Sequence, residues 1–305
     1  MAGHESTRVI LIALAANLGI AAAKFAAAAI TGSSAMLTEG IHSTVDSANE
    51  VLLLYGTRQS ERPPDRTHPF GYGRELYFWS FVVAILVFAL GAGVSFYEGV
   101  RHLLHPEPPS DVLVAFAVLA ISIVLESWSS LAALRRFNRE RGAKGVYRAV
   151  RETKDAPNLV VLLENGGAVI GLLIAAAGVG LTALTGNPLF DGVASLLIAL
   201  VLAAMAVILL VEAKGLLIGE AADPALVKAL RSCIESHDGI VAVHEVLTIH
   251  QAPRMVVAVI SADFEDTITA RDVEQTIARI EREIAANHPQ VTRIYIRPLD
   301  SAMRR

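Results

Sequence analysis

The stretch that decides the fold is AMLTEGIHSTVDSANEVLLLYG, residues 35–56. It is long and apolar enough to cross a bilayer as a helix, which takes about 20 residues. His42 and Asp46 lie four residues apart within it, so both side chains project from one helix face. Ionisable residues are costly in hydrocarbon and usually mark an ion path. An imidazole nitrogen and a carboxylate oxygen on one face supply half of a tetrahedral site for a divalent transition metal.

The composition is typical of a membrane protein. Of the 305 residues, 53% are hydrophobic and only 18% are charged, and the mean hydropathy is +0.50; these values are unusual for a soluble chain. Cys233 is the single cysteine, which excludes an internal disulfide framework and a CxxC metal clip. The net charge of −4 gives no basic footprint for nucleic acid. The polar N-terminus predicts no cleavable signal peptide.

Apolar length predicts an α-helical membrane protein with six transmembrane helices. Gly186, Asn187 and Pro188 are typical of a break and separate the last two. The predicted spans are Val9–Ile30, Ala35–Gly56, Leu76–Val100, Val112–Leu134, Leu159–Leu184 and Leu189–Leu217.

Arginine and lysine predict the orientation. One side of the membrane holds thirteen of them, namely Arg8, four between Arg58 and Arg74, and eight between Arg135 and Lys154. The short loops on the opposite side hold only Arg101. The positive-inside rule then places both termini in the cytoplasm. We expect an integral protein of a bacterial inner membrane.

The last part of the chain predicts a separate cytoplasmic domain, so that residues 1–218 form the transmembrane domain and residues 219–305 a C-terminal one. Its order α-β-β-α-β is metallochaperone-like and suits a small sheet with helices on one face. Asp223 with Pro224, and Thr269 with Asp272, are typical of helix starts. The predicted elements are Asp223–Ser236, Val241–His250, Met255–Phe264, Thr269–Ala286 and Val291–Arg297.

Several motifs around these spans resemble the cation diffusion facilitator family of metal–proton antiporters. The resemblance covers nearly the whole chain, and the run HPFGYG spaced from HSTVD is its most specific part. Besides the six spans and the HxxxD pair, the matching elements are Thr31-Gly32-Ser33-Ser34-Ala35, Glu39, the run HPFGYGRELYFWS at residues 68–80, and Asp191-Gly192-Val193-Ala194-Ser195.

The fifth span departs from the commonest family pattern, which has a second HxxxD or DxxxD there. Residues 157–175 have the sequence PNLVVLLENGGAVIGLLIA. Aligned on Gly171, the usual aspartate falls on Asn165 and the usual histidine on Val161. Glu164 stands beside Asn165, and such a pair resembles a branch of the family that lacks the second histidine.

The resemblance therefore implies a metal site of His42, Asp46 and an oxygen from Glu164 or Asn165. Adjacent helical residues point about 100° apart, so these two need not both face the ion. One histidine plus oxygens suits manganese, iron(II) or cobalt as well as zinc; the family makes zinc the first choice. The alternative is structural, with His42 and Asp46 as a hydrogen-bonded pair between helices and Asn165 as an interhelical hydrogen bonder.

Other charged residues in the spans have a functional and a structural interpretation. Glu39 shares a helix face with His42 and is either an outer ligand or a structural residue near the outer surface. Lys24 and Glu126 lie mid-span, where an intramembrane salt bridge or snorkelling is expected rather than transport.

Two further places bind metal in some family members. The loop after the second helix holds Asp65 and His68, but the position of a second histidine is Tyr72. A loop metal site and simple loop packing both remain open. In the C-terminal domain His244 is present, but Ser261, Tyr295 and Arg297 occupy the later ligand positions. We expect that domain to dimerise without a metal cluster like theirs.

The resemblance implies a transporter, not an enzyme, and the spans have neither a HExxH nor a paired-aspartate catalytic motif. The expected activity is export of a divalent metal ion in exchange for protons, with no bound cofactor. Zinc is the first choice, and manganese, iron(II) or cobalt is the alternative. The rival from another class is a metal-sensing membrane scaffold that transports nothing. The expected partners are the metal ion, protons, the lipid bilayer and a second copy of the chain.

Overall fold

The structure is a computed structural model that describes residues 2–106, 111–142, 145–146, 149–150 and 153–299. The chain divides into two compact units. The first comprises Met1–Arg58 and Phe78–Ala213, and the second comprises Gln59–Tyr77 and Lys214–Arg305.

Each of the six predicted spans lies within one long helix of the structure. The helices α1 to α6 are Ala2–Thr31, Ser34–Ser60, Glu75–Leu104, Val112–Arg141, Ala156–Thr185 and Leu189–Ile218. The predicted break between the last two is present, and Gly186 there has a φ of +69°, a conformation that glycine adopts without strain. The prediction of a helical membrane protein is confirmed.

Four of these helices, α3 to α6, are long and apolar enough to cross a membrane by length and composition alone. The described side chains of α1 begin at Asn17, and the apolar stretch Asn17–Thr31 is short. Helix α2 is long enough but is diluted by the polar residues that make it interesting. The hydropathy signal is therefore weakest in the helix that carries the candidate ligands.

Two helices differ in detail from the prediction. Helix α4 continues past the predicted end at Leu134 to Arg141, because the sequence RRFNRER consists mostly of good helix formers that need no bilayer. Helix α3 contains a π-helical stretch at Val87–Ala92, which periodicity did not predict. Such stretches interrupt regular side-chain spacing and occur often near functional sites.

The start of α2 is held by a carboxylate from α6. Asp191 accepts hydrogen bonds from the backbone N–H of Ser34 at 2.6 Å and from the hydroxyl of Ser33 at 2.7 Å. The backbone N–H of Ala35 lies 3.3 Å from the same carboxylate. All three partners are buried, and a carboxylate there satisfies N–H groups that a helix start leaves unpaired. Two separate family motifs thus meet in one contact.

Helix α5 packs closely on its neighbours through glycines. A Cβ atom on Gly178 would lie 2.4 Å from the Cβ of Ala194, and one on Gly167 would lie 2.2 Å from the sulfur of Met205. On Gly171 it would lie 2.5 Å from Oε1 of Glu39. Small residues let helix backbones approach each other in membranes. These glycines bring α5 against α6 and against the face of α2 that carries Glu39.

The C-terminal elements agree with the prediction. They are α7 (Pro224–Glu235), β1 (Ile240–Ala252), β2 (Met255–Phe264), α8 (Ala270–Asn287) and β3 (Val291–Pro298). The sheet has the order β1-β2-β3, with β1 antiparallel and β3 parallel to β2. The predicted helix starts are confirmed, because Asp223 accepts from the N–H of Ala225 and Thr269 forms a capping box with Asp272.

This domain has a core of its own. The helices cover the sheet with apolar side chains that are fully buried, namely Leu230, Ile234, Val256, Ile260, Ile280 and Ile284. The second compact unit also contains residues 59–77, which the prediction placed in the transmembrane domain. Arg293 donates to the carbonyl of Pro69 at 3.3 Å, and its guanidinium lies 5.6 Å from the ring centre of Phe70.

Candidate metal centre

The His42 and Asp46 side chains meet inside the helical unit. Nδ1 of His42 lies 3.4 Å from Oδ1 of Asp46, and the two side chains are 1% and 20% exposed. Among the residues that the structure describes, neither ring nitrogen of His42 has a hydrogen-bond partner, and Oδ1 of Asp46 has none. A buried polar atom without a partner costs about 1–3 kcal/mol. Two donors in that state, at the spacing of two ligands of one tetrahedral ion, fit a metal.

Glu164 approaches this face of α2 from α5. Its Oε1 accepts a hydrogen bond of 2.6 Å from the side-chain amide of Asn49, and both residues are buried. Asn49 is three residues after Asp46 and seven after His42, so all three project from the same side of α2. The structure thus brings Glu164 to the helix face that carries the histidine and the aspartate.

Asn165 points elsewhere. Its side-chain amide donates to the hydroxyl of Ser129 on α4 at 3.1 Å, and its backbone carbonyl accepts from Ser130 at 2.7 Å. Its surroundings are those of an interhelical hydrogen bonder, the structural role that the sequence left open. Glu164 and Asn165 therefore face different neighbours, as their angular separation on one helix requires.

Glu39 forms a buried ion pair. Nζ of Lys24 lies 3.1 Å from Oε2 of Glu39 and donates to the hydroxyl of Ser43 at 2.7 Å. Lys24 and Glu39 are completely buried. An intramembrane salt bridge for Lys24 is the interpretation that the sequence favoured. The lysine compensates the charge of Glu39, which makes Glu39 a poorer ligand than a carboxylate without a cation partner.

Negative charge gathers around Asp46. The carboxylates of Glu164, Glu126 and Glu39 are all close enough to act on it electrostatically, while Lys24 is the opposing cation. In a low-dielectric bundle such carboxylates cannot all remain charged without a compensating cation. Either a bound dication or protons can supply that compensation.

The loop residues form a compact turn. The carboxylate of Asp65 accepts hydrogen bonds from the Tyr72 hydroxyl at 2.6 Å and from the backbone N–H of His68 at 2.7 Å, as well as two from Thr67. These bonds, that of Tyr72 first, hold the pKa of Asp65 well below its usual range. The His68 and Tyr72 rings lie 4.2 Å apart. Asp65 already has four donors, an arrangement that loop packing alone explains; the proposal of a metal there keeps no further support.

The expected absence of a family-like cluster in the C-terminal sheet has a local explanation. Ser261 on β2 pairs with Arg297 on β3, and the arginine donates to the serine hydroxyl at 3.3 Å. Nε2 of His244 lies 3.9 Å from Oδ2 of Asp263. A fixed guanidinium at a ligand position repels a cation.

Asn49 and the direction of Glu164 are what sequence reasoning missed. The signal for Asn49 was present, because residues 42, 46 and 49 follow the i, i+4, i+7 spacing of one helix face. An asparagine carries no charge and did not stand out among the serines and threonines of α2.

Long apolar helices around a buried histidine–carboxylate cluster define the class of helical membrane transport proteins. The chain belongs to the cation efflux family, because the family model for the cation efflux transmembrane domain matches residues 10–218. This agrees with the resemblance to the cation diffusion facilitators. It is a family of transporters and not of enzymes.

The chain is similar to curated relatives over most of its length. It is 35% identical over 266 residues to the proton-coupled zinc antiporter SLC30A9, mitochondrial, of Xenopus laevis, covering 87% of this chain and 48% of that protein. The human protein of the same name is 37% identical over 241 residues, covering 78% and 42%. The manganese efflux system protein MneP of Bacillus subtilis is 25% identical over 236 residues, covering 75% and 74%. The chain spans about half the length of the SLC30A9 relatives.

Proposed function

We propose that this chain exports a divalent transition metal ion in exchange for protons, and that zinc is the ion. The observation that carries the proposal is the buried pair of His42 and Asp46, whose facing atoms lack hydrogen-bond partners, with Glu164 opposite. His42, Asp46 and Glu164 bind the ion, and Asn49 orients Glu164.

Proton coupling follows from the charge of this site. Metal ligands must be deprotonated to bind, so protons and a dication compete for the same atoms. When the ion leaves, two buried carboxylates, Asp46 and Glu164, face each other without it. Proton uptake from the other side of the membrane then neutralises them, so an inward proton gradient drives the metal outward.

The choice of zinc rests on the relatives. Two of them are named proton-coupled zinc antiporters, whereas another is named a manganese efflux protein. One imidazole and two carboxylates accept zinc, manganese, iron(II) and cobalt, so the donor set is compatible with each. Manganese, iron(II) or cobalt is the second candidate.

The deciding experiment uses purified protein in proteoliposomes with an imposed pH gradient. We expect uptake of zinc that collapses when the gradient is abolished, and weaker uptake of manganese, iron(II) and cobalt. Protein that binds zinc in detergent but moves none of the four metals, with or without a gradient, contradicts the proposal. That result supports the rival, a metal-sensing scaffold.

Metal preference can be redesigned on the face of α5 that carries Glu164. Val160 is one turn before Glu164 and 1% exposed, whereas the neighbouring Val161 is 41% exposed. We expect Val160→His to add a nitrogen donor and to shift the preference for zinc over manganese by on the order of tenfold, or about 1.4 kcal/mol. Competition between the two metals for uptake measures the shift.

The matched control is Val161→His, one position along the same helix. It should leave the preference unchanged, because position 161 shares its face with Asn165 rather than with Glu164. Size-exclusion profiles show whether each variant is folded, since Val160 lies in a buried apolar cluster. An equal shift from Val161→His, with none from Val160→His, would place the ion on the Asn165 side.

We also propose that the protein is a homodimer whose assembly needs no metal. The support is the Ser261–Arg297 pair at positions where a metal cluster would need ligands. Sedimentation of the full chain in detergent should give a dimer both with and without a chelator. A chain that is monomeric in chelator and dimeric after zinc is added contradicts this proposal.

The proposed location is a bacterial inner membrane, with both termini in the cytoplasm. The distribution of arginine and lysine supports the orientation, while the relatives named above are described as mitochondrial. Ser236 is exposed, so a membrane-impermeant thiol reagent can test Ser236→Cys in a Cys233→Ser background. Labelling of intact cells would overturn the orientation, and labelling only after permeabilisation supports it.

A further inference from the structure

The C-terminal domain contains a second group of metal-binding side chains. Cys233 on α7, His237 just after that helix and Glu283 on α8 each offer one ligand atom, and these three atoms all lie within 4.8 Å of one another. This is the group of its kind found in the part of the chain that the structure describes. It includes the protein's single cysteine and shares no residue with the proposed transport site.

The imidazole of His237 is oriented by the backbone. Its Nδ1 lies 2.9 Å from the carbonyl oxygen of Cys233. A carbonyl only accepts, so Nδ1 carries the proton and Nε2 is left to act as a ligand. A hydrogen bond from the non-ligating ring nitrogen to a backbone carbonyl is the usual support of a metal-bound histidine. The helix end thus sets both the tautomer and the direction of Nε2.

The spacing of the donors fits a small tetrahedral ion. Nε2 of His237 lies 3.3 Å from Oε2 of Glu283. Ligands about 2.0–2.2 Å from a tetrahedral zinc ion are about 3.3–3.6 Å apart. A sulfur, an imidazole nitrogen and a carboxylate oxygen together suit an ion of intermediate softness, whereas magnesium and calcium prefer oxygen alone.

We propose that Cys233, His237 and Glu283 form a cation site within one C-terminal domain, which takes a zinc-like divalent ion and completes its coordination with water. The site is partly open, because the side chains of His237 and Glu283 are 13% and 46% exposed. Water and an incoming ion can therefore reach it. The alternative is an imidazolium–carboxylate ion pair between His237 and Glu283, with Cys233 as a bystander.

Before an ion binds, the cysteine is a neutral thiol. Burial first, and then the nearby Glu283 carboxylate, raise the pKa of the Cys233 thiol to about 11. An arriving dication must displace that proton to gain the sulfur ligand. Sulfur ligation is the property that distinguishes this site from one made of nitrogen and oxygen.

The test is titration of the purified full-length chain in detergent with cobalt(II), a probe ion that reports sulfur ligation by a thiolate-to-cobalt charge-transfer absorption. Because Cys233 is the single cysteine, this band reports on one site. We expect a band that saturates at one cobalt per chain and is bleached by zinc. It should be lost in Cys233→Ser and require at least about tenfold more cobalt in His237→Gln and in Glu283→Gln.

Two controls separate this site from other metal binding. Asp46→Ala removes a proposed transport ligand and should keep the full band, so failure of the transport proposal does not decide this one. His288→Gln removes a histidine just after α8 and should also leave the band unchanged. Absence of the band in the wild type overturns the proposal. Wild-type cobalt affinity in both His237→Gln and Glu283→Gln also overturns it, because the thiol would then bind alone.

Discussion

Asp46→Ala is expected to abolish metal transport and to leave the protein folded. Loss of a group that merely hydrogen-bonds a metal ligand costs about 10–100-fold in metal affinity. Loss of the carboxylate itself removes both a ligand and the charge that faces the ion, so transport should fall by at least about 100-fold. The measurement is zinc uptake into proteoliposomes under a fixed pH gradient. Asp46 is not tightly buried, at 20% exposed, so the change should cost little stability.

The matched control is Glu50→Gln on the same helix. Glu50 is one turn after Asp46, but its carboxylate accepts a hydrogen bond of 3.3 Å from Asn17 on α1. It therefore faces a different helix from Glu164, and its variant should retain most of the flux. Wild-type flux in a folded Asp46→Ala protein would remove the proposed site, whatever Glu50→Gln does.

Glu164→Gln is expected to damage transport far more than Asn165→Ala. Glu164 is buried beside Asn49 on the ligand face of α2, whereas the amide of Asn165 is bonded to Ser129 on α4. Replacing a carboxylate removes the charge term for a dication as well as changing a ligand, but removing a neutral amide does not. The apparent KM for zinc should rise by at least about tenfold in Glu164→Gln and stay near the wild-type value in Asn165→Ala.

Asn49→Ala provides an internal check on the geometry. If Asn49 orients Glu164, its loss should raise the KM for zinc in the same direction as Glu164→Gln, and the double variant should be no worse than Glu164→Gln alone. A silent Glu164→Gln together with an inactive Asn165→Ala would mean that the fifth helix presents its other face to the ion. If both are silent, α5 does not hold the ion through these residues.

The sequence predicted what depends on local pattern. The C-terminal elements were foreseen within a few residues, because alternation, capping residues and turn residues act over short distances. The six spans were foreseen by apolar length, even though α2 is too polar to stand out by hydropathy alone. His42 and Asp46 were found because spacing on one helix fixes their common face.

Contacts between helices were not predictable from one sequence. The choice between Glu164 and Asn165 depends on the rotation of α5, which close packing at Gly167, Gly171 and Gly178 decides. The partner of Lys24 depends on which helix lies against α1. Such facts come from packing between distant segments, and periodicity within one helix carries no record of them.

The bond between Asp191 and the start of α2 also restricts how α2 can move. A helix pinned at one end cannot slide along its axis, but it can tilt about that end like a lever. His42 and Asp46 are about 12 Å and about 18 Å along the helix from Ser34, at about 1.5 Å per residue. A tilt of about 10° would therefore displace Asp46 by about 3 Å and His42 by about 2 Å. The carboxylate farther from the pivot would part from α5 first, so a small rotation at Ser34 is enough to dismantle the cluster of donors.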